Sequence, residues 1–210
     1  METTLQEIHE GILDGDANAV AEKVQAALDE GIAAPAILNE GMITAMAEVG
    51  RLFEDGEYFV PEMLIAARAM QSGLALLRPY LVAADVKPIG VAAIGTVKGD
   101  LHDIGKNLVV MMMEGAGFEI KDLGTDVESG TFVDAVRDGA NIVGLSALLT
   151  TTMPMMGKTI QAIVDAGLRD QIKIIVGGAP VTSKFAKQIG ADGFASDASQ
   201  AAKLAKSLVG

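Results

Sequence analysis

The chain of 210 residues has no cysteine and only two histidines, His9 and His102. Without cysteine it can form no disulfide, thiolate metal site or cysteine nucleophile, and two histidines are too few for a polyhistidine metal site. Aromatic residues make up 4% of the chain, and 28 acidic residues against 16 basic ones give a formal net charge of −12. Because binding to a phosphate backbone needs a basic surface, we expect no nucleic acid as a partner. We therefore expect that the chemistry, if any, uses a group that the chain does not itself supply.

Long apolar segments are also missing. No run approaches the roughly 18 residues of a membrane span. The first residues lack the basic region and apolar stretch that form an export signal. We therefore expect no membrane association and a cytoplasmic location.

Residues 1 to 84 carry apolar side chains at helical spacing. Two long series are Leu38, Met42, Ala45, Val49, Leu52 and Met63, Ala67, Met70, Leu74, Leu77, Leu81. Both have an average step of about 3.5 residues, which places each series on one face of a helix. Two shorter series precede them, and glycine and proline separate the segments, with Pro35 and Pro61 suited to first helical turns. The pattern predicts an antiparallel four-helix bundle over 1–84.

After a linker at 85–88, short apolar runs alternate with amphipathic stretches. The predicted strands are 89–97, 119–123, 142–147, 172–176 and 193–195, with helices starting near residues 104, 129, 154, 182 and 197. This alternation predicts an α/β domain over 89–210 with helices on both faces of a parallel sheet. Five strands favour a flavodoxin-like (Rossmann-like) doubly wound fold, whose ligand site lies beyond the carboxyl ends of the strands.

Three predicted loops meet at that edge of the sheet, and the first contains His102. One histidine cannot hold a bare transition metal tightly, but it can be an axial ligand to a metal whose other positions a macrocycle fills. Asp100 lies two residues earlier and can accept the proton of the other imidazole nitrogen, which fixes the tautomer of a metal-binding histidine. His9 has no evident partner and is expected at the surface.

The three loops resemble the cobalamin-binding signature. Asp-x-His-x-x-Gly stands at 100–105, Ser-x-Leu at 146–148 and Gly-Gly at 177–178. The preceding segment, with Glu-Val-Gly at 48–50 and Phe-Val-Pro-Glu at 59–62, resembles the helical cap of the methionine synthase cobalamin module. Within this family the chain looks most like the freestanding corrinoid proteins of anaerobic methyltransferase systems.

The resemblance implies cobalamin or a related corrinoid as cofactor, with His102 as the lower cobalt ligand. Asp100 would hold His102, and Thr152 would complete the relay where methionine synthases usually have serine. Further implied cofactor contacts are Gly99, Leu101, Asp103, Gly105, Ser146, Leu148, Thr150, Gly177, Gly178 and Ala198. Phe53 and Val60 match residues that shield the upper face of the cobalt, although both also suit the core of the bundle. The threonines at 150–152 also suit a helix N-cap before Pro154.

The implied function is that of a methyl carrier with little activity alone. It would receive a methyl group from a substrate:corrinoid methyltransferase, and a second methyltransferase would pass the group to tetrahydrofolate or a coenzyme thiol. A reductive activase is a third expected partner.

Two alternatives belong to other classes. A cobalamin-responsive regulator would need a DNA-binding or signalling segment, for which this sequence shows no room. The cobalamin-binding subunit of a mutase would not be expected to carry the helical cap.

Overall fold

The computed structural model describes residues 3–209, which form two compact units divided between Lys87 and Pro88. The first unit is entirely helical and the second alternates strands and helices. Each has its own buried apolar core. None of the helices formed by the described residues is both long and apolar enough to cross a bilayer.

The helical unit contains four main helical segments. They are α1 (Thr3–Leu13), α2 (Ala17–Asp29), a third segment that joins α3 (Ala34–Ala36) to α4 (Thr44–Glu54) through a π-helical stretch (Ile37–Ile43), and α5 (Val60–Ala83). The Asp16 carboxylate caps α2 by accepting from the N–H groups of Asn18 and Ala19. Pro35 and Pro61 lie in first helical turns, as predicted.

The π-helical stretch departs from the regular helix that the spacing predicts. Ile37 and Met42, five residues apart, are both fully buried, whereas Leu38 is only partly buried. The wider turn places residues five apart on the same face. Side chains also bind backbone carbonyls on either side, since Asn39 Nδ2 donates to Pro35 O at 2.7 Å and Thr44 Oγ1 to Glu40 O at 2.6 Å. The prediction that Leu38 begins the buried series is therefore wrong.

The α/β unit has a sheet of five parallel strands in the order β2-β1-β3-β4-β5. The strands are β1 (Val91–Val97), β2 (Glu119–Val127), β3 (Ile142–Ser146), β4 (Lys173–Gly177) and β5 (Gly193–Ala195). The helices are α6 (Ile104–Gly115), α7 (Ser129–Arg137), α8 (Pro154–Asp165), α9 (Ser183–Ile189) and α10 (Ala198–Val209). This order is that of a flavodoxin-like doubly wound sheet, and the predicted fold class is confirmed.

Strand β2 extends four residues beyond its predicted end. The extension carries two register irregularities against β1, near Gly95 and before Val97. Asp126 within it adopts a left-handed conformation with φ +55°. Such a segment lacks regular alternation of apolar and polar residues, which explains why the predicted strand ended at residue 123.

Candidate functional site

Three loops meet at the carboxyl edge of the sheet. They follow β1, β3 and β4 and span residues 98–103, 147–153 and 178–182. The Leu148 N–H of the second loop donates to the Asp100 carboxylate of the first at 2.8 Å. The Ala147 N–H donates to the carbonyl of Gly177, at the end of β4, at 3.3 Å. The predicted convergence of the three loops is therefore present.

Asp100 is the centre of this arrangement, and its carboxylate is fully buried. Oδ1 accepts from the backbone N–H of His102 at 3.1 Å and lies 2.7 Å from His102 Nδ1. Oδ2 accepts from Thr152 Oγ1 at 2.7 Å and from the N–H groups of Leu148 and Leu149 at 2.8 and 3.2 Å. Together these donors fix the carboxylate in one orientation.

These hydrogen bonds also set the charge of Asp100. Burial alone would raise the pKa of the carboxyl group, but donation from Thr152, His102 and the Leu148 N–H outweighs it. The net effect holds the pKa of Asp100 well below its usual value. Asp100 is therefore a buried anion whose charge is stabilised mainly by neutral donors.

His102 is held at both its ring and its backbone. Nδ1 faces Asp100, and the backbone carbonyl accepts from the buried hydroxyl of Thr96 at 2.8 Å. The side chain is 51% exposed. Because the carboxylate fixes the tautomer with hydrogen on Nδ1, Nε2 carries the lone pair that can bind a metal.

The surroundings of His102 fit a metal held in a macrocycle better than a bare ion. Among residues 3–209, no group of three or more histidine, aspartate or glutamate side chains is placed to hold a metal ion. Leu101 and Ile104, on either side of His102, are 74% and 76% exposed. One imidazole beside open apolar side chains suits a flat ring that supplies the other ligands and covers the apolar surface.

The glycines at the site differ in whether the fold of the protein requires them. Gly178 has φ +124°, and a Cβ there would lie 1.9 Å from the Ala147 carbonyl oxygen, so the fold itself requires glycine. A Cβ at Gly177 would lie 3.1 Å from the Ala195 carbonyl oxygen. At Gly105 a Cβ would meet no heavy atom within 4 Å and φ is ordinary, so packing within the protein does not require glycine there.

The other predicted cofactor contacts are spread around the same edge. Ser146 ends β3, in register with Thr96 and Gly177 on the neighbouring strands. Thr150 is exposed, whereas Ala198 is buried at the start of α10. Two further predicted contacts lie in the first loop. Gly99 turns the chain with φ +84°, and the carboxylate of Asp103 accepts from Asn107 Nδ2 at 3.2 Å.

Phe53 and Val60 lie in the helical unit. Phe53 is partly buried near the end of α4, and Val60 begins α5 with 36% of its surface exposed. Val60 is therefore not a core residue of the bundle. The shielding role of these two residues stays a prediction.

The contacts exclude one alternative and correct one expectation. The side chain of Thr152 does not cap α8; its hydroxyl contacts Asp100 and also lies 2.9 Å from Leu149 O, while α8 begins at Pro154 without a side-chain cap. His9 is not without a partner, because its Nδ1 lies 3.3 Å from Thr44 Oγ1, 35 residues along the chain.

Three polar residues near the site were not singled out from the sequence. Thr96 holds the His102 carbonyl, and Asp126 contacts the first loop. Lys106 is 3% exposed, and its Nζ lies 2.6 and 2.7 Å from the two carboxylate oxygens of Asp122. Thr96 could have been found from the sequence, because it is a polar residue within the predicted apolar strand 89–97. Asp126 gave no such signal, because it lies beyond the predicted end of its strand.

Comparison with known proteins agrees with this geometry. Residues 90–203 match the family model of the B12 binding domain, and residues 4–78 match a second B12 binding domain model. A corrinoid protein of Desulfitobacterium hafniense (strain Y51) is 40% identical over 98% of this chain and 97% of its own length. Dimethylamine corrinoid protein 1 of Methanosarcina mazei is 41% identical over 99% of this chain and 97% of its own.

A solved structure shows the same likeness. It is the methanol:cobalamin methyltransferase complex of Methanosarcina barkeri, with a TM-score of 0.89 and 28% identity. The match covers 99% of this chain and 80% of the chain in that complex.

Proposed function

The chain belongs to the corrinoid proteins of methyltransferase systems and binds a corrinoid, and from this premise we propose that it carries a methyl group between two methyltransferases. The first would be a substrate:corrinoid methyltransferase, and the second would pass the group to tetrahydrofolate or a coenzyme thiol. A reductive activase would be a third partner. When bound, the corrinoid supplies a cobalt centre that takes a methyl group in its reduced state and later gives it up to a nucleophile.

The observation that carries this proposal is the fixed imidazole of His102. Its Nδ1 is engaged by a buried carboxylate, so Nε2 is the nitrogen that would hold the cobalt from below. A carboxylate on the second ring nitrogen orients a metal-binding histidine and raises its basicity. Thr152 and the two backbone N–H groups on the opposite oxygen keep Asp100 in place.

The same contacts determine where a proton would go when Nε2 is not bound to metal. Asp100 has a pKa well below its usual value and stays ionised at neutral pH. A proton taken up at that moment would therefore not reside on Asp100. The relay of Asp100, His102 and Thr152 would couple proton uptake to release of the lower ligand.

The remaining residues have roles in binding the cofactor. Ser146 and Thr150 would hydrogen-bond its nucleotide tail, and Gly105 would leave room for it. Gly177 and Gly178, where neighbouring carbonyl oxygens already stand in the way of a Cβ, would contact it through their backbone. Additional contacts would come from Gly99, Leu101, Asp103, Leu148 and Ala198. The exposure of Leu101, Ile104 and Leu148 supports this assignment, since exposed apolar side chains gain from being covered. Phe53 and Val60 of the helical unit would shield the upper face.

Methyl transfer tests the proposal directly. The purified chain is loaded with cobalamin, reduced, and mixed with a methyltransferase for dimethylamine or for methanol together with its isotope-labelled substrate. We expect one labelled methyl group per loaded chain with at least one of these enzymes. We also expect loss of the label to tetrahydrofolate or a coenzyme thiol when a second methyltransferase is added.

The controls separate the carrier from its alternatives. Labelled methyl iodide replaces the first enzyme, so that uptake is measured without a matching partner. If the reduced, loaded chain takes up no label from methyl iodide or from either enzyme, the proposal is wrong. An isomerisation that depends on adenosylcobalamin would likewise contradict it and favour a mutase subunit.

A further inference from the structure

Asp126 has a left-handed backbone conformation, which is uncommon for residues other than glycine. It lies one residue before the end of β2 and has φ +55°. Left-handed backbone costs a non-glycine residue about 1 kcal/mol or more, although aspartate and asparagine adopt it more readily than most. Strain of this kind persists where surrounding contacts enforce it, and such residues cluster at functional sites.

The contacts that enforce it all reach the loop that carries His102. Asp126 Oδ1 accepts from the Gly99 N–H at 2.8 Å, and the Asp126 N–H donates to Asp100 O at 2.9 Å. Lys98 Nζ donates to Asp126 Oδ2 at 3.2 Å. One residue of β2 therefore binds three consecutive residues of the loop after β1.

Two of these bonds hold the backbone at the point where the loop turns. Gly99 has φ +84°, and the Asp100 N–H donates to Val97 O at 3.2 Å, which closes the turn. Asp126 binds this turn at two points, the N–H of Gly99 and the carbonyl of Asp100. The position of the Asp100 backbone in turn determines where its carboxylate meets His102.

We infer that Asp126 is a positioning residue for the lower axial ligand, acting through Gly99 and Asp100 on His102. It has no hydrogen bond to His102 itself. The inference deepens the proposed function and rests on it as far as the cofactor is concerned. The Gly99 bond can be tested without cofactor.

The neighbouring ion pair provides a matched control. Lys98 Nζ is 3.0 Å from Glu128 Oε1 as well as 3.2 Å from Asp126 Oδ2. Glu128→Gln removes a charge from this pair and leaves the bonds to Gly99 and Asp100 in place. This variant therefore separates the effect of the charge around Lys98 from the effect of the hydrogen bonds between Asp126 and the turn.

Substitutions at Asp126 separate the carboxylate from the backbone strain. Asp126→Gly removes the side-chain acceptor and relieves the strain, so the variant is expected to fold. Asp126→Asn keeps an oxygen that can accept from Gly99, and asparagine tolerates the same φ. If cobalamin affinity and histidine ligation fall in Asp126→Gly and are retained in Asp126→Asn, the cause is the hydrogen bond to Gly99 rather than backbone strain or charge.

Three measurements follow the effect from the loop to the metal. Hydrogen exchange of the Gly99 amide is measured in the apoprotein, cobalamin affinity by titration, and histidine ligation by nitrogen hyperfine coupling to cobalt(II). For Asp126→Gly we expect faster Gly99 exchange, a lower fraction of histidine-bound cobalt and about ten-fold weaker cobalamin binding, as for other residues that orient a metal-binding histidine. Asp126→Asn and Glu128→Gln should stay near wild type in all three.

Several results would overturn the inference. It is wrong if Asp126→Gly leaves Gly99 exchange and histidine ligation at wild-type values. An equal loss in Glu128→Gln would assign the effect to Lys98 and would also overturn it. Failure of methyl transfer in a wild-type protein with histidine-bound cobalt would count against the proposed function alone, because none of these three measurements involves a methyl group.

Discussion

The helical unit and the α/β unit differ in where they carry charge. Residues 1–87 contain 15 acidic and 5 basic residues, a net of −10, whereas residues 88–210 contain 13 acidic and 11 basic residues, a net of −2. Most of the net negative charge of the chain, −10 of −12, therefore belongs to the smaller unit.

Buried polar side chains show the opposite distribution. Those that the structure describes are Thr96, Asp100, Lys106, Thr152, Thr159 and Ser199. All of them lie in the α/β unit. Burying polar groups costs free energy unless they are hydrogen-bonded, and four of them, Thr96, Asp100, Lys106 and Thr152, are bonded close to the carboxyl edge of the sheet.

The difference indicates a division of labour. The α/β unit fixes a polar constellation in its interior, as a site that must hold one histidine in one orientation requires. The helical unit has an apolar interior and a strongly charged surface, which suits electrostatic steering of an association. Each prediction below tests one side of this contrast.

The largest expected effect comes from removing one buried hydroxyl of the α/β unit. Thr152→Val keeps the shape of the side chain but removes a donor to the Asp100 carboxylate. A hydrogen bond to a charged group contributes about 1.5–3 kcal/mol, so we expect a loss of that size in the free energy of unfolding. Chemical denaturation of the apoprotein at pH 7 measures it.

The pH dependence and a neighbouring residue check the cause. Asp100 has a lowered pKa in the folded state, so its stabilisation is complete above the unfolded pKa, about 4, and is lost as the pH falls toward the folded value. The difference between wild type and Thr152→Val should therefore be constant above about pH 4 and narrow below it. Thr151→Val, at an exposed position, should change little; a loss equal to that of Thr152→Val would contradict the account.

A smaller effect separates cofactor binding from stability within the same unit. Gly105 is the second residue of α6, and a Cβ there would meet no protein atom within 4 Å. Gly105→Ala should raise the stability of the apoprotein by about 0.5–1 kcal/mol because alanine favours helix. It should weaken cobalamin binding about ten-fold, since an intruding methyl costs about 1–3 kcal/mol.

The second residue of α7 supplies the matched control. A Cβ at Gly130 would also meet no protein atom within 4 Å. Gly130→Ala should therefore give a similar gain in stability without a change in cobalamin affinity. Equal affinity in the two variants would show that the cofactor does not approach Gly105.

The smallest expected effect concerns the charge of the helical unit. Association with the methyltransferase identified in the transfer assay should slow as salt is added, because steering by surface charge is screened beyond about 10 Å at 0.1 M salt. Neutralising exposed acids of the helical unit should reduce this salt dependence. The substitutions are Glu22→Gln, Glu40→Gln and Glu57→Gln.

The same number of exposed acids in the α/β unit serves for comparison. The substitutions are Glu119→Gln, Asp138→Asn and Asp170→Asn. We expect this set to change the association rate less than the first set, in stopped-flow measurements at low salt. Equal or larger effects from the second set would refute the assignment of steering to the helical unit.

The sequence was sufficient for most of the fold because its signals were local. The predicted strands at 142–147 and 193–195 are short, mainly apolar runs. Gly15 separates α1 from α2, and Pro35 and Pro61 lie in the first turns of their helices. The π-helical stretch was missed because its signal is a single step of five residues, from Ile37 to Met42, within an otherwise regular series.

The site was predictable only as far as its motifs reached. Thr152 is far along the chain from Asp100 and His102, yet the resemblance linked the three residues. The structure places Asp100 in contact with both of the others. Asp126 is different, because its role depends on the pairing of β2 with β1 and on a left-handed backbone. Neither feature is visible in the residues taken one by one.

The central claim is that His102 is the protein's ligand to cobalt. The chain contains only two histidines, so ¹⁵N-histidine labelling and electron paramagnetic resonance of the cobalt(II) form test it with His102→Ala and His9→Gln. We predict hyperfine coupling to one labelled nitrogen in wild type and in His9→Gln, and its loss in His102→Ala. Coupling to labelled histidine that persists in His102→Ala, or is absent from wild type, would contradict the account.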